Sequence, residues 1–237
     1  MSSINITNLK KEYNSAIVLD IPLLNIKQGE IIGIVGNNGA GKTTLFRLIL
    51  DLIEPTAGTV KINGIEVAGN DRWKATTGAY LDDKFLIKFL TAKEFLSFIG
   101  SVYKLSNTEI NNRIMSFNEF MTNEITCNKK YIHEFSSGNK QKIGIVSAMI
   151  THPDLLILDE PFNFLDPSSQ IIIKKLLLEY NQEYNTTILL SSHNIQYVMD
   201  ICSRVIVFDS GYILYDESDI TKETKNKIES YFSKINS

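Results

Sequence analysis

The feature that most constrains the fold is a glycine-rich segment at residues 36–44, which lies between two apolar stretches. The run before it, residues 31–35, is typical of a buried strand, and residues 45–50 have the apolar content expected in a helix. The segment has the pattern G-x-x-x-x-G-K-[ST], in which glycine lets the backbone curl so that successive N–H groups point inward. The helix that follows adds the positive end of its dipole. The sequence therefore predicts a loop that holds a polyphosphate.

Two side chains of this segment have chemistry that suits a nucleotide. Lys42 supplies a positive charge for the outer phosphates, and the hydroxyl of Thr43 is an oxygen ligand for Mg²⁺. The alternative, a glycine turn that carries a surface lysine, is disfavoured by the strand and helix on either side. The predicted nucleotide-binding residues are Gly36, Asn37, Asn38, Gly39, Ala40, Gly41, Lys42, Thr43 and Thr44.

The composition is that of an ordinary folded protein. Of 237 residues, 43% are hydrophobic and 22% are charged, which is enough for a sizeable core. The formal charge of −3 gives no basic face by count, so no nucleic acid partner is expected. Cys127 and Cys202 lack the spacing of a zinc site or a disulfide frame, and no apolar run reaches the roughly 20 residues that cross a bilayer. We expect a soluble chain in a reducing compartment, without a signal peptide.

The first half of the chain divides into a strand-rich part and a helix-rich part. Alternating apolar residues predict antiparallel strands within residues 1–30, and Thr91 with Glu94 has the pattern of a capping box at the start of a helix. Helical spacing continues from there to about residue 150. The apolar residues that share one face of its first helix are Phe95, Phe98, Ile99 and Val102.

The second half alternates strand and helix patterns. Three continuous apolar runs have no polar face, as strands covered on both sides require. Because helical patterns separate them, we predict a mostly parallel sheet. The runs are residues 155–158, 187–190 and 205–208, and the helical stretches are residues 168–184 and 194–202.

A pair of carboxylates follows the first of these runs. Asp159 and Glu160 stand where a buried strand ends. Asp159 is predicted to hold the water shell of Mg²⁺, and Glu160 to orient and deprotonate the attacking water. An apolar strand that ends in Asp-Glu is more often a surface turn, and the glycine-rich loop in the same chain reverses that preference.

Together with the three further segments and the residue described next, these motifs make the sequence similar to the ATP-binding subunit of an ABC transporter. The resemblance covers nearly the whole of this sequence. Residues 135–139, Phe-Ser-Ser-Gly-Asn, occupy the position of that family's signature motif, usually written LSGGQ. Residues 162–167 resemble its D-loop, and residues 191–193 resemble its switch-histidine segment. Tyr13 lies where the family has an aromatic residue that stacks on adenine.

The resemblance implies one ABC-type ATP-binding domain over residues 1–237. Its fold class would be α/β: a P-loop NTPase core with a mostly parallel sheet, an N-terminal antiparallel β subdomain and a helical subdomain. We place the core at about residues 1–84 and 151–218, the helical subdomain at about 85–150 and a C-terminal helix at about 219–237. The resemblance also implies ATP and Mg²⁺, a homodimer or heterodimer that closes around two ATP molecules, and a membrane permease that holds the chain at the cytoplasmic face of the cell membrane.

Four more site residues follow from the resemblance. The hydroxyl of Ser136 and the N–H of Gly138 lie at a predicted helix N-terminus and would face the nucleotide of the second subunit, although Ser136 as a cap for its own helix is the alternative. His193 would bond the γ-phosphate and the attacking water, whereas a lone histidine at a strand end is mostly structural. The stacking role of Tyr13 depends on the resemblance alone.

The sequence departs from the family pattern in three places. Asp82 and Asp83 stand where the family has a glutamine, and we place Asp83 near Mg²⁺, with Asp82 as the second choice and a solvated acidic turn as the alternative. The acidic loop and the form of the signature resemble exporters for drugs, antibiotics or antimicrobial peptides. The remaining departures are Phe135, Ser137 and Asn139 in the signature and Phe164 at a D-loop position where the family prefers glycine.

The sequence therefore predicts an ATPase subunit that dimerises on ATP and powers a separately encoded permease, of the exporter type for drugs, antibiotics or antimicrobial peptides. A soluble ABC ATPase that acts as a non-transport switch on ribosomes or DNA is the second function considered, and a P-loop kinase is disfavoured by the Asp-Glu pair and His193. Candidates for the contact with the permease, with core packing as the alternative, are Phe85, Leu86, Phe89 and Leu90.

Overall fold

The computed structural model describes residues 2–127, 129–218 and 220–235. The chain forms two compact units. The first unit comprises Met1–Trp73 with Thr187–Ser237, and the second comprises Lys74–Thr186. In the described parts of the chain, no helix is both long enough and apolar enough to cross a membrane.

The described residues form strands and helices in the following order. The strands are β1 (Ser2–Tyr13), β2 (Ala16–Lys27), β3 (Ile31–Val35), β4 (Ala57–Ile62), β5 (Ile65–Glu66), β6 (Thr77–Tyr80), β7 (Leu155–Leu158), β8 (Thr187–Ser192), β9 (Arg204–Asp209) and β10 (Tyr212–Glu217). The α-helices are α1 (Lys42–Ile49), α2 (Ala92–Val102), α3 (Asn107–Ser116), α4 (Asn118–Thr126), α5 (Ser137–Met149), α6 (Pro167–Tyr184), α7 (Ile195–Met199) and α8 (Lys222–Ile235), with short 3₁₀ helices at Arg72–Thr76, Asp83–Phe85 and Ile132–Glu134.

The first unit contains the predicted antiparallel strands. β1 and β2 pair as a long antiparallel hairpin with Leu9 opposite Ile21, and β4 pairs with the other edge of β1, so the sheet order is β2-β1-β4-β5. Alternate residues such as Ile4 and Ile6 are fully buried, because successive side chains of a strand point to opposite faces. The prediction of antiparallel strands in residues 1–30 is confirmed.

The first unit also contains parallel strands that lead to the phosphate-binding segment. β3 pairs in parallel with both β8 and β9, with Ile31 opposite Ile188 and Ile32 opposite Arg204. β10 adds an antiparallel edge beside β9. All residues of β3 and β8 are buried, as the continuous apolar runs predicted.

The second unit combines two parallel strands with the helices. β6 pairs in parallel with β7, and Thr77 lies opposite Leu155. Helix α2 begins with the predicted capping box, since the Thr91 hydroxyl accepts from the Glu94 N–H and the Glu94 carboxylate accepts from the Thr91 N–H. Helix α5 begins after Ser136. The helical pattern predicted for residues 91–150 is confirmed in type, although turns and a 3₁₀ helix interrupt it.

The apolar face predicted for α2 was wrong in part. Phe95 is buried, but Phe98 and Val102 are exposed. The buried side of the helix instead passes through Gly100, where an added Cβ would lie 2.5 Å from Cγ1 of Ile110 on α3. Close packing of α3 on this glycine, which periodicity of large apolar residues does not show, sets the buried face.

The last helices differ from their predicted bounds. Helix α7 covers only Ile195–Met199 of the predicted stretch 194–202. Helix α8 lies inside the predicted C-terminal helix, of which residues 219, 236 and 237 fall outside the described residues.

Candidate functional site

The phosphate-binding segment joins β3 to α1 in the first unit. Gly39 and Gly41 have φ values of 83° and 106°, a left-handed region that glycine enters without steric cost. Gly41 is the N-terminal cap of α1 and offers no side chain to the amides of the first turn. Because α1 also has no acidic residue in that turn, its own carboxylates do not offset the positive end of its dipole. This geometry suits an anion.

The Lys42 ammonium is held by the carbonyl groups of the same segment. Lys42 is only 6% exposed. Its Nζ donates to the Gly36 carbonyl at 2.6 Å and to the Asn37 carbonyl at 3.2 Å. A buried ammonium without such partners would be costly. The carbonyl groups therefore keep a positive charge inside the curl of the loop.

Gly36 also has a packing reason to be glycine. A Cβ at Gly36 would lie 2.6 Å from the backbone carbonyl oxygen of Phe208 in β9. The loop therefore packs closely against β9 where it leaves β3. Glycine at this position is required by packing as well as by the predicted ligand.

Two further predicted site residues lie in the first unit, at exposed positions. Tyr13 ends β1 at the hairpin turn, is 48% exposed, and has the Lys11 Nζ 4.8 Å from its ring centroid. His193 follows β8 and is exposed. Its backbone is placed by its neighbours, because the Ser192 hydroxyl accepts from the Asn194 N–H at 2.9 Å and Asn194 in turn caps α7.

The second unit brings together the predicted carboxylates. Asp159 follows β7, is 7% exposed, and donates its N–H to the Tyr80 carbonyl at 2.9 Å. Glu160 is half-buried and has a φ of 47°, which is uncommon for a residue with a side chain. Asp83, Asp159 and Glu160 line one pocket of about 300 Å³, together with Gln141.

The acidic loop after β6 is engaged in local contacts. The Asp82 carboxylate accepts from the Lys84 N–H at 2.7 Å and caps a short 3₁₀ helix. The Asp83 carboxylate lies 3.0 Å from the Lys88 ammonium. Burial, followed by the nearby charges of Asp83 and Asp82, raises the pKa of the Tyr80 phenol, which therefore stays neutral at physiological pH. Asp82 thus stabilises its own turn, and the Asp83 carboxylate already has a cationic partner.

The signature segment forms the start of helix α5. The Ser136 hydroxyl caps the helix and accepts from the Asn139 N–H at 3.3 Å. Phe135 is buried, so this aromatic side chain packs in the core. A Cβ at Gly138 would lie 2.6 Å from the Phe164 carbonyl oxygen. Only glycine allows this approach between the helix start and the D-loop.

The D-loop carries an exposed aromatic side chain on an unusual backbone. Phe164 is 73% exposed and has a φ of 64°, which explains why glycine suits this position. The signature and D-loop residues line an open pocket of about 430 Å³. Asp166 ends the loop and caps α6, and hydrogen bonds from Ser168 and Ser169 hold the pKa of its carboxyl well below the ordinary value.

Two of the expected permease contacts are exposed. Phe85 and Phe89 present large apolar side chains to solvent, whereas Leu86 is buried. The alternative of core packing therefore holds for Leu86.

Gln141 has no role in the sequence-based prediction, although it lies in the same pocket as the carboxylates. Its Nε2 donates to the Glu160 carbonyl at 3.1 Å, and the residue is 6% exposed. No local pattern marks a contact between residues 19 positions apart. The signal that the sequence offers is an amide side chain two residues after the signature motif.

Comparison with known families shows the family to which the chain belongs. The profile of the family described as ABC transporter matches residues 19–163, which is more than half of the chain. A second profile, described as AAA domain, putative AbiEii toxin, Type IV TA system, matches residues 128–200 and overlaps the first. The chain belongs to the ABC transporter family and is an ATP-binding subunit of the kind that hydrolyses ATP.

Two relatives show the range of its similarity. The chain is 34% identical over 236 residues to a methionine import ATP-binding protein, MetN 2, of Bacillus cereus, covering 94% of this chain and 69% of that protein. It is 35% identical over 194 residues to the ABC transporter ATP-binding protein NatA of Bacillus subtilis (strain 168), covering 81% and 78%. Since one relative is an importer by name, these similarities do not establish the exporter type.

Solved structures confirm the predicted α/β fold. A structure described as an ATP binding subunit of an ABC transporter aligns with a TM-score of 0.83 at 27% identity, covering 95% of this chain and 93% of that one. A dimeric, post-hydrolysis structure of the ATP-binding cassette MJ0796 with ADP and Pi aligns with a TM-score of 0.81 at 26% identity, covering 91% and 98%.

Proposed function

We propose that this chain binds Mg²⁺-ATP, hydrolyses it in a dimer and so powers a membrane permease at the cytoplasmic face of the cell membrane. The observation that carries the proposal is the loop at residues 36–44, in which a buried Lys42 ammonium lies inside a backbone curl at the start of α1. Loop amides and Lys42 would bind the phosphates, and Tyr13 would stack on adenine with the ring face away from Lys11.

Mg²⁺ would be held by the Thr43 hydroxyl and the Asp159 carboxylate. These hard oxygen donors fit Mg²⁺, which commonly takes one or two carboxylates and completes its shell with phosphates and water. When bound, the ion offsets the charge of the phosphates. Asp83 would join these ligands by giving up its ion pair with Lys88 and binding Mg²⁺ instead.

Hydrolysis would depend on two other side chains. The Glu160 carboxylate would orient the attacking water and accept its proton, and the His193 imidazole would bond the γ-phosphate. Glu160 is the second residue after β7 and His193 is the first after β8, and the end of a parallel strand is the place where α/β proteins present reactive groups.

The second subunit would complete each site. Ser136 and Gly138 lie at the N-terminus of α5 and would face the nucleotide bound to the partner subunit. That nucleotide would enter the open pocket between the signature and the D-loop. Both a homodimer and a heterodimer fit this arrangement. The exposed Phe85 and Phe89 would contact the permease.

We further propose that the transport direction is export of a drug, antibiotic or antimicrobial peptide, which the acidic pair Asp82-Asp83 and the form of the signature favour. Uptake is the second candidate, favoured by the similarity to the methionine import protein. A deletion in the native cell separates them, because increased sensitivity to antimicrobial peptides supports export and poor growth on a scarce nutrient supports uptake. A non-transport switch on ribosomes or DNA is not favoured by the relatives, whose names describe transporter subunits.

The direct test uses the purified chain with ATP and Mg²⁺, alone and with the permease that co-purifies after mild detergent extraction. Binding of a fluorescent ATP analogue and release of phosphate are measured. We expect both activities, and we expect the permease to raise the rate of phosphate release. Binding without phosphate release, even with the permease present, would contradict the proposed ATPase activity and leave only a nucleotide-binding role.

A further inference from the structure

The backbone of Glu160 is held in a conformation that a residue with a side chain rarely adopts. Its φ of 47° lies in the left-handed region, where a Cβ is crowded by its own backbone. Such a conformation persists only when surrounding contacts enforce it, and it is common where a side chain must be aimed. The contacts that enforce it here are therefore candidates for parts of the site.

Two donors converge on the Glu160 carbonyl oxygen. The Gln141 Nε2 donates at 3.1 Å, and the Asn163 N–H donates at 3.1 Å. The Asn163 contact is a local turn that leads into the D-loop. The Gln141 contact comes from another element, helix α5, and ties the peptide group of Glu160 to that helix.

Helix α5 is also the helix that begins with the signature motif. Gln141 lies one helical turn after Ser137, on the same side, and both residues line the pocket of Asp159 and Glu160. The buried amide of Gln141 has a defined orientation, because it faces a carbonyl that can only accept. A shift of α5 would therefore move the peptide group of Glu160.

We propose that Gln141 is a positioning residue for hydrolysis, which holds the Glu160 peptide group so that the carboxylate is correctly placed for water. This inference rests on the proposed role of Glu160. Since the N-terminus of the same helix would face the partner subunit's nucleotide, Gln141 also makes the placement of the base in one site depend on nucleotide bound to the other.

The test replaces Gln141 with side chains of similar size. Gln141→Met keeps the volume and removes the donor, and Ser147→Ala on the same helix is the matched control, since it also removes one side-chain hydrogen bond to a backbone carbonyl. We expect Gln141→Met to lower kcat by on the order of 10- to 100-fold, with the Kd for ATP and the melting temperature near those of the wild type. Ser147→Ala should keep the wild-type kcat.

Gln141→Glu adds a readout that a packing role does not predict. A protonated carboxyl can donate a hydrogen bond to the Glu160 carbonyl. An ionised carboxylate instead places a negative charge next to the partial negative charge of the carbonyl oxygen. The kcat of Gln141→Glu, divided by that of the wild type at the same pH, should therefore rise as the pH falls from 8 to 6. Gln141→Met should show a constant ratio over this range.

Two results would overturn the inference. One is a wild-type kcat in Gln141→Met, and the other is a loss of ATP binding equal to the loss of kcat. Glu160→Gln, measured in the same series, separates this failure from a failure of the proposed function. If Glu160→Gln stops turnover while Gln141→Met does not, only the role of Gln141 is lost, and if Glu160→Gln turns over normally, the base assignment itself is wrong.

Discussion

The Lys42 ammonium lies 2.6 Å from the carbonyl oxygen of Gly36, six residues earlier in the same loop. This bond places a buried positive charge inside the backbone curl that we propose for the phosphates of ATP. Removal of a charged hydrogen-bonding partner costs about 1.5–3 kcal/mol, which is roughly 10- to 100-fold in affinity. Lys42→Ala should therefore raise the Kd for a fluorescent ATP analogue by about that factor. Lys61→Ala, which removes an exposed lysine of β4, is the control, and equal affinities of the two variants would exclude Lys42 from the nucleotide site.

The left-handed backbone of Phe164 leads to a prediction about stability. A non-glycine residue at a positive φ is strained by about 1–3 kcal/mol, and this side chain is mostly exposed, so little burial is lost on its removal. Phe164→Gly should be at least as stable as the wild type in urea unfolding. Phe164→Ala keeps the strain and should be less stable than Phe164→Gly by about 1 kcal/mol. The opposite order of the two variants would show that Phe164 is not strained.

The close approach of Gly138 to the Phe164 carbonyl predicts a packing defect on substitution. A Cβ at this position would meet a backbone atom at 2.6 Å, so the D-loop must move. We expect Gly138→Ala to lower the free energy of unfolding by about 1–3 kcal/mol, as for other overpacked sites. Asn139→Ala, at the next position of the helix, serves as the control. A Gly138→Ala chain as stable as that control would mean that glycine is needed here only for a ligand.

The N-terminal cap of α6 predicts a pH dependence. Hydrogen bonds from Ser168, then from Ser169, lower the pKa of the Asp166 carboxyl in the folded state below its ordinary value of 3.8. A lowered pKa means that the stabilisation by Asp166 is present above pH 3.8 and is lost as the pH falls through the folded-state pKa. Asp166→Ala should thus be less stable than the wild type at pH 7, and the difference should shrink below about pH 4. Thermal unfolding of both chains across this pH range checks the prediction. A stability difference that does not change with pH would show that the charge of the Asp166 carboxylate has no role in it.

The parts of the fold that sequence predicted well are those with local causes. The glycine-rich loop, the capping box at Thr91 and the continuous apolar strands each follow from the conformational preferences of neighbouring residues. The buried face of α2 was predicted wrongly in part because Gly100, which has no side chain to contribute to an apolar pattern, forms the contact with Ile110.

The candidate site shows the same division. Lys42 and Asp159 could be proposed from the sequence because a lysine at the start of a helix after a glycine-rich loop and a carboxylate at the end of an apolar strand are local patterns. Gln141 was missed because its contact with Glu160 joins two elements that only the fold brings together. The backbone conformations of Glu160 and Phe164 also depend on tertiary contacts, which local preference does not reveal.

Steady-state hydrolysis and ATP binding by Glu160→Gln, measured on the same preparation, test the central claim most directly. The amide is close in size to the carboxylate but cannot accept a proton from water, and loss of general base catalysis typically costs about 10²- to 10⁴-fold. We expect ATP affinity near that of the wild type, turnover lower by about this factor, and an ATP-dependent dimer on size-exclusion chromatography. Turnover by Glu160→Gln at the wild-type rate would contradict the claim that Glu160 activates the water.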